Sequence, residues 1–358
     1  MSAPDDCPGC KNNRPADNEA ALEKIRAAAG NGRILVTGAA GFTGKRLVTA
    51  LAARGYSVRA LVRHDGGDAE LKAARAQIYT GDLRDPKVVD WAMDGVSGVF
   101  HLASIVQKAG IPDQEFWDTH VRATESLLES ARRYGVRKFV HCSTIGVLGH
   151  IAHPPADETA PYNVEDIYQI TKAEGEKKAL AFCQATGLPV TVIRPAAVYG
   201  PGDTRLLKLF RMISRGRFYI IGDGRALIHP VYVDDLVEGM ILAYESAAAA
   251  GRVYIIGGER YLTIREWAQL IAHEAGSTIP TLRLPYAPIR AVAAVCEAVC
   301  KPFGIEPPLF RRRVDFFAKN RAFSIERARR ELGYEPKVGL EEGARRTLAW
   351  YRDHGWLD

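Results

Sequence analysis

Apolar and polar positions along the chain fall into blocks that switch between two periods. Short, nearly continuous apolar runs occupy 34–36, 57–62, 76–79, 98–102, 138–142 and 190–193, the pattern of strands buried on both faces. Between them lie stretches with helical spacing at 45–54, 86–93, 113–134 and 167–186; in the first, Leu47, Val48 and Leu51 share one side. Strands alternating with helices in this way predict an α/β fold, a doubly wound parallel sheet covered by helices on both faces. Ligands of such sheets bind beyond the carboxyl ends of the strands, so the loops after the strands are where chemistry is expected.

The loop after the first strand is rich in glycine. Gly38, Gly41 and Gly44 follow the strand and open a helix, separated by Ala39 and Ala40 and by Phe42 and Thr43. This G-x-x-G-x-x-G spacing gives a tight turn, a backbone that a diphosphate can approach, and close helix-on-strand packing, with the helix N-terminus offering N–H groups to phosphate. The second strand closes with Val62, where an acid would bind the ribose hydroxyls, and Arg63 follows; this favours a 2′-phosphate, hence NADP over NAD. Asp82 and Leu83 follow the third strand, near the adenine edge, although Asp82 equally suits the cap of the next helix. Ala103 and Ser104 follow the fourth strand and border the middle of the dinucleotide, where small residues let the backbone run close.

Tyr168 and Lys172 are four residues apart and therefore share a helix face. An unperturbed tyrosine has a pKa of about 10, too high for a ready base, and a neighbouring ammonium stabilises the phenolate. Thr144, after Ser143 at the end of the fifth strand, is placed to hydrogen-bond the substrate oxygen that Tyr168 protonates or deprotonates.

These residues, with His101-Leu102-Ala103, Arg194-Pro195-Ala196-Ala197-Val198-Tyr199-Gly200-Pro201, Gly222-Asp223-Gly224 and Val231-Tyr232-Val233-Asp234-Asp235, resemble the extended short-chain dehydrogenase/reductases, the NAD(P)-dependent epimerase/dehydratase group. The likeness runs from about residue 33 to the end. It implies a Rossmann-type domain over 32–200, with 228–258 returning to it, and a smaller substrate-binding domain from 201–227 and 259–358. It also implies Tyr168 as acid/base, Lys172 as its modulator and nicotinamide-ribose ligand, Thr144 as hydroxyl partner, Pro195 and Val198 flanking the nicotinamide, and a homodimer through helices 113–134 and 167–186.

Sugar-nucleotide branches of this group often carry Asn after the sixth strand and Arg before the Tyr-Val-x-Asp run. Here those places hold Ala196-Ala197 and Ile228-His229-Pro230, and a missing phosphate clamp weakens a nucleotide-sugar 4-epimerase or dehydratase reading. Pro308-Leu309-Phe310-Arg311, Phe323-Ser324-Ile325, Leu332-Gly333-Tyr334-Glu335-Pro336 and Trp350-Tyr351 resemble the 3β-hydroxysteroid dehydrogenase-like branch, whose closing Leu-Gly-Tyr-x-Pro is shared with sugar epimerases. The expected activity is oxidoreduction of a secondary alcohol or ketone on an apolar small molecule. A non-catalytic NADP sensor would not need the Tyr168, Lys172 and Thr144 set. His120 stands where many relatives place asparagine, and a structural polar role is expected of it.

The chain of 358 residues is 47% hydrophobic and 25% charged, ordinary for a globular protein with a large core. Its net charge of +6 gathers partly at 311–313 and 319–330, a solvated face rather than a nucleic-acid site. Six thinly spread cysteines suit a reduced, cytoplasmic protein without metal; Cys7 and Cys10 lack a second pair at zinc spacing. Residues 1–31 read as an appended tail with a short helix at 19–29. In the region 284–310, Ile289, Val292, Ala293, Cys296, Val299 and Cys300 trace a stripe that packs on its own domain, roofs an apolar site or lies at a membrane surface.

Overall fold

Strand β1 (Arg33–Thr37) enters the middle of the molecule and is followed by β2 (Ser57–Val62), β3 (Gln77–Thr80), β4 (Val96–His101), β5 (Lys138–Cys142) and β6 (Val190–Pro195). Four short strands come next, β7 (Ala197–Tyr199), β8 (Ile220–Ile221), β9 (Leu227–Ile228) and β10 (Pro230–Tyr232), before β11 (Val253–Ile256). The structure is a computed structural model that describes residues 32–64, 69–105, 110–300, 303 and 309–357. The expected tail, its helix at 19–29 and the Cys7/Cys10 pair lie outside the described residues.

The main sheet has seven strands in the order β11-β6-β5-β4-β1-β2-β3, all parallel. The strand order reverses between β1 and β4, which leaves a crevice beyond their carboxyl ends. Side chains alternate across the sheet, so each strand contributes to two cores. Val36, Phe100, Val140 and Ile193 pack with helices Phe42–Ala53 and Val233–Glu245; Leu35, Val99, Phe139 and Val190 pack with helices Pro86–Met93, Ala123–Arg133 and Ile167–Thr186. Each such apolar side chain contributes about 1.5–3 kcal/mol by leaving water. This is the doubly wound arrangement that the alternation of periods predicts. A separate core around Tyr199, Phe210, Trp267 and Tyr351 joins helices Leu207–Ser214, Ile264–Ala275 and Leu340–Asp353.

Three details differ from the sequence pattern. The first helix begins at Phe42 rather than at 45, because glycines at its start carry no apolar signal. The helix expected over 113–134 is broken into Asp113–Trp117, a π-helical turn at Asp118–Arg122 and Ala123–Arg133. Helix Ile167–Thr186 passes so near this turn that a Cβ on Gly175 would lie 2.3 Å from the His120 carbonyl oxygen, which accepts from Thr124 Oγ1 at 2.8 Å. The stripe in 284–310 forms helix Tyr286–Cys300 but splits: Ile289 and Ala293 face the protein, whereas Val292 and Val299 face water.

Candidate active site

The turn after β1 is shaped by steric necessity. Gly38 has φ +69°, and a Cβ there would lie 2.7 Å from the Ala103 nitrogen, so the turn is pressed against the loop after β4. A Cβ on Gly44 would meet the Gly38 oxygen at 2.2 Å; this glycine lets the helix close onto the strand. Gly41, exposed beside exposed Ala40, is the helix N-cap with φ −75° and ψ 166° and has no side chain to occupy the first-turn N–H groups. No acidic residue sits in that first turn, which contains half-buried Phe42 and Thr43. Bare N–H donors at the positive end of a helix, free of competing carboxylate, fit the diphosphate of a dinucleotide.

Arg63 is exposed at the end of β2, and its charge helps hold the Asp82 carboxyl below the usual range, after the larger effect of Arg84. Arg84 grips Asp82 with Nε at 3.0 Å and Nη2 at 2.6 Å. Of the two roles open to Asp82, capping is excluded: Asp85 is the N-cap of helix Pro86–Met93, accepting from the Lys87 amide at 2.9 Å. Asp82 is instead neutralised by Arg84, one turn too early to reach the first amides of that helix. Leu83 is buried in the sheet core.

Behind the crevice runs a chain of neutral polar groups whose partners assign its tautomers. Thr124 gives its proton to the His120 carbonyl, so it accepts from His101 Nε2 (3.0 Å), and His101 Nδ1 accepts from Thr37 Oγ1 (2.8 Å). Thr37 Oγ1 in turn accepts from the Ala103 amide at 3.3 Å. At His120, Nε2 accepts from the Ile105 amide (3.1 Å) and from Ser104 Oγ (2.9 Å). Its Nδ1 donates to Thr171 Oγ1 at 2.8 Å, since Thr171 spends its own proton on the Ile167 carbonyl. Burial pushes the pKa of His101 down to about 3 and of His120 to about 2, with Lys172 adding to both shifts. His120 thus ties the Ala103-Ser104 loop to the helix that bears Tyr168, whose ring it meets edge-on at a centroid distance of 5.6 Å.

Tyr168 is half-buried in the first turn of helix Ile167–Thr186, whose N-cap Asp166 accepts from the Gln169 amide. Lys172 is buried, and its Nζ donates to the Cys142 carbonyl at 2.5 Å, fixing this helix to the end of β5. Desolvation lowers the lysine pKa, while Cys142 and Glu176 oppose the shift. Thr144, two residues beyond Cys142, accepts from the Gly146 amide at 3.0 Å and so keeps its own proton to donate. Ser143 is committed elsewhere: its Oγ donates to Glu176 Oε2 at 2.6 Å.

Glu176 and its partners were not apparent from the sequence. The carboxylate is buried and receives Arg194 Nη2 at 2.6 Å and Tyr162 Oη at 3.0 Å besides Ser143. A signal existed, because Tyr168, Lys172 and Glu176 continue one helical stripe at a spacing of four. Pro195 ends β6 and Val198 lies in β7, both buried. His229, in the place of the phosphate-clamping arginine, is buried with Nε2 donating to the Gly258 carbonyl at 2.9 Å, and burial holds its pKa below the usual value, so it offers an anion no arginine-like charge.

The chain matches the NAD dependent epimerase/dehydratase family over residues 34–257. It belongs to that family. The epimerase/dehydratase match covers the glycine turn, the Tyr168 helix and the main sheet through β11. Among curated relatives, a 3 beta-hydroxysteroid dehydrogenase/Delta 5→4-isomerase of Mycobacterium tuberculosis is 33% identical, the alignment covering 89% of this chain and 90% of the relative. A 2-alkyl-3-oxoalkanoate reductase of Stenotrophomonas maltophilia is also 33% identical, over 88% and 98% of the two chains. Among solved structures, a UDP-glucose 4-epimerase of Thermus thermophilus in complex with NAD has a TM-score of 0.70 at 26% identity, covering 89% of this chain and 99% of that one. This family member is therefore an NAD(P)-dependent enzyme of the extended short-chain dehydrogenase/reductase type.

Proposed function

We propose that the enzyme interconverts a secondary alcohol and a ketone on an apolar, steroid-like or alkyl-chain skeleton, with NADP preferred over NAD. The observation that carries this reading is the Lys172 bond to the Cys142 carbonyl, which sets the Tyr168 helix against the strand end that carries Thr144. In the reductive direction the Tyr168 phenol gives its proton to the substrate oxygen as the carbonyl carbon is reduced; in the oxidative direction the phenolate takes the hydroxyl proton. The Lys172 ammonium favours the phenolate, and Thr144 Oγ1 donates a hydrogen bond to the same substrate oxygen. The bound dinucleotide supplies or accepts the hydride. Gly38, Ala40, Gly41, Phe42, Thr43 and Gly44 hold the diphosphate, Arg63 the 2′-phosphate, and Leu83, Ala103 and Ser104 line the path between adenine and nicotinamide. Pro195 and Val198 flank the nicotinamide.

Residues 201–227 and 259–358 would form the substrate side, over a dinucleotide domain of 32–200 and 228–258. A cytoplasmic homodimer, paired through helices 113–134 and 167–186, completes the picture. The epimerase alternative is disfavoured by His229, which is bonded to the backbone where that chemistry wants an arginine for phosphate. The test is a screen with NADPH and NADP of 3-keto and 3β-hydroxy sterols and 3-oxoalkanoates against UDP- and dTDP-hexoses. Cofactor turnover with the apolar set supports the reading; hexose conversion without net cofactor change would replace it.

A further inference from the structure

The loop after β7 turns back over the start of the first helix. Arg46 Nη2 donates to the Pro201 carbonyl at 3.4 Å, and a Cβ on Gly202 would lie 3.8 Å from the Phe42 ring. This loop delivers Arg205, whose guanidinium carbon stands over the Phe42 ring, 5.6 Å from its centroid. Three bonds fix the residue. Its amide and Nε donate to Asp203 Oδ1 at 3.0 and 2.9 Å, and Nη2 donates to the Val198 carbonyl at 3.1 Å. Asp203 is fully buried, and its carbonyl accepts from Tyr351 Oη of helix Leu340–Asp353.

These bonds orient the guanidinium without using up its donors. Asp203 meets it at Nε alone, Nη1 has no partner among the described residues, and the side chain is 48% exposed. Burial raises the pKa of the Cys142 thiol, and Lys172 and then Arg205 oppose the rise, so the guanidinium lies within electrostatic reach of the end of β5. Its charge therefore stands at the crevice, beside the positive end of helix Phe42–Ala53, whose first turn contains no acid. Two positive groups converging from separate parts of the chain call for an anion between them.

We propose that Arg205 is a cofactor-binding residue that closes over the diphosphate, with Nη1 donating to a phosphate oxygen that the first-turn amides of helix Phe42–Ala53 hold from the other side. The inference rests on the dinucleotide placement assigned above. Arg205 recognises the diphosphate common to NADPH and NADH, whereas Arg63 is assigned the 2′-phosphate that NADPH alone carries. The grip on the cofactor then depends on two parts of the chain, the glycine turn and an arginine that Asp203 ties to the C-terminal helix.

Fluorescence titration of the full-length protein with NADPH and NADH tests it. Removing Arg205 alone would leave the buried Asp203 carboxylate unpaired, so the main variant is Asp203→Asn with Arg205→Gln, which removes both charges and keeps a hydrogen-bonding pair. It should melt near the wild-type temperature and bind NADPH and NADH alike about tenfold to a hundredfold more weakly. In calorimetry, 2′-phospho-ADP-ribose, which has the diphosphate but no nicotinamide, should lose the same factor. Arg205→Lys, whose ammonium still pairs with Asp203 but carries no fork, guards against a folding defect and should weaken both dinucleotides by about threefold or more. Binding of both dinucleotides within about twofold of wild type in the two variants would overturn the inference. So would a loss confined to NADPH, which would put Arg205 at the 2′-phosphate, or a raised KM for the ketone at unchanged dinucleotide affinity, which would put it at the substrate. A wild-type protein that binds neither dinucleotide would overturn the cofactor placement itself, and this inference with it.

Discussion

Substituting Gly41 by alanine separates the folding role of the glycine turn from its binding role. At position 41 the backbone has φ −75°, open to any residue, and an added Cβ would meet only the Gly38 oxygen, at 3.2 Å. Stability of Gly41→Ala should therefore stay within about 1 kcal/mol of wild type, the stiffer unfolded chain offsetting a slightly tight contact. At position 44 the same methyl would sit 2.2 Å from that oxygen and 2.9 Å from Ala39 Cα, about 1 Å inside ordinary contact, so Gly44→Ala should lose about 1–3 kcal/mol. The cofactor responds differently. A methyl on the exposed N-cap displaces the diphosphate from first-turn amides, and losing one charge-assisted hydrogen bond, about 1.5–3 kcal/mol, weakens binding about tenfold to a hundredfold. Urea titration and NADPH fluorescence, run on both variants, read the two effects separately. A Gly41→Ala protein that binds NADPH as tightly as wild type would refute the placement of the diphosphate.

Three further outcomes follow from the site. Glu176→Gln leaves the buried Arg194 guanidinium without its counter-charge and should destabilise by about 3–5 kcal/mol; a loss under about 1 kcal/mol in urea denaturation would mean that the network is incidental. Arg63→Ala should weaken NADPH binding about tenfold to a hundredfold and leave NADH unchanged, whereas equal loss for both would remove the 2′-phosphate role. His101 and His120 have folded pKa values of about 3 and about 2, below the usual 6.5, so the unfolded chain takes up protons first as pH falls. The stability they contribute is complete above about pH 6.5 and declines toward the folded values, by up to about 1.4 kcal/mol per pH unit per ring. His101→Asn should make that decline shallower in denaturation curves, and an unchanged slope would contradict the burial assignment.

What the sequence disclosed follows from which physical signals are local. Buried parallel strands and amphipathic helices leave periodic hydrophobicity, so β1 to β6 and the covering helices were readable to within a residue or two at most ends. The start of the first helix was not, because Gly41 and Gly44 serve backbone approach rather than hydrophobic burial. That Tyr168 and Lys172 share one helix was legible because a single turn joins them, and Thr144 follows the fifth strand as expected, two residues beyond its last residue. The Asp82 and Asp85 roles look alike in sequence, and only the Lys87 amide distinguishes them. The ties of His120 to Ser104, Thr171 and Tyr168 cross 16 to 51 residues of chain, and the Glu176–Arg194 pair joins a helix to a strand. Such contacts depend on tertiary placement and leave no periodic trace. The stripe in helix Tyr286–Cys300 was visible as apolar spacing, but the face it turns to water was not, because spacing alone does not orient a helix.

The account stands most directly on Tyr168→Phe. The aromatic ring that packs against His120 is retained and the proton donor is removed. The variant should bind NADPH with wild-type affinity in a fluorescence titration and reduce the ketone identified by the screen about 10²–10⁴-fold more slowly. Turnover within about threefold of wild type would contradict the assignment of the phenol as acid/base.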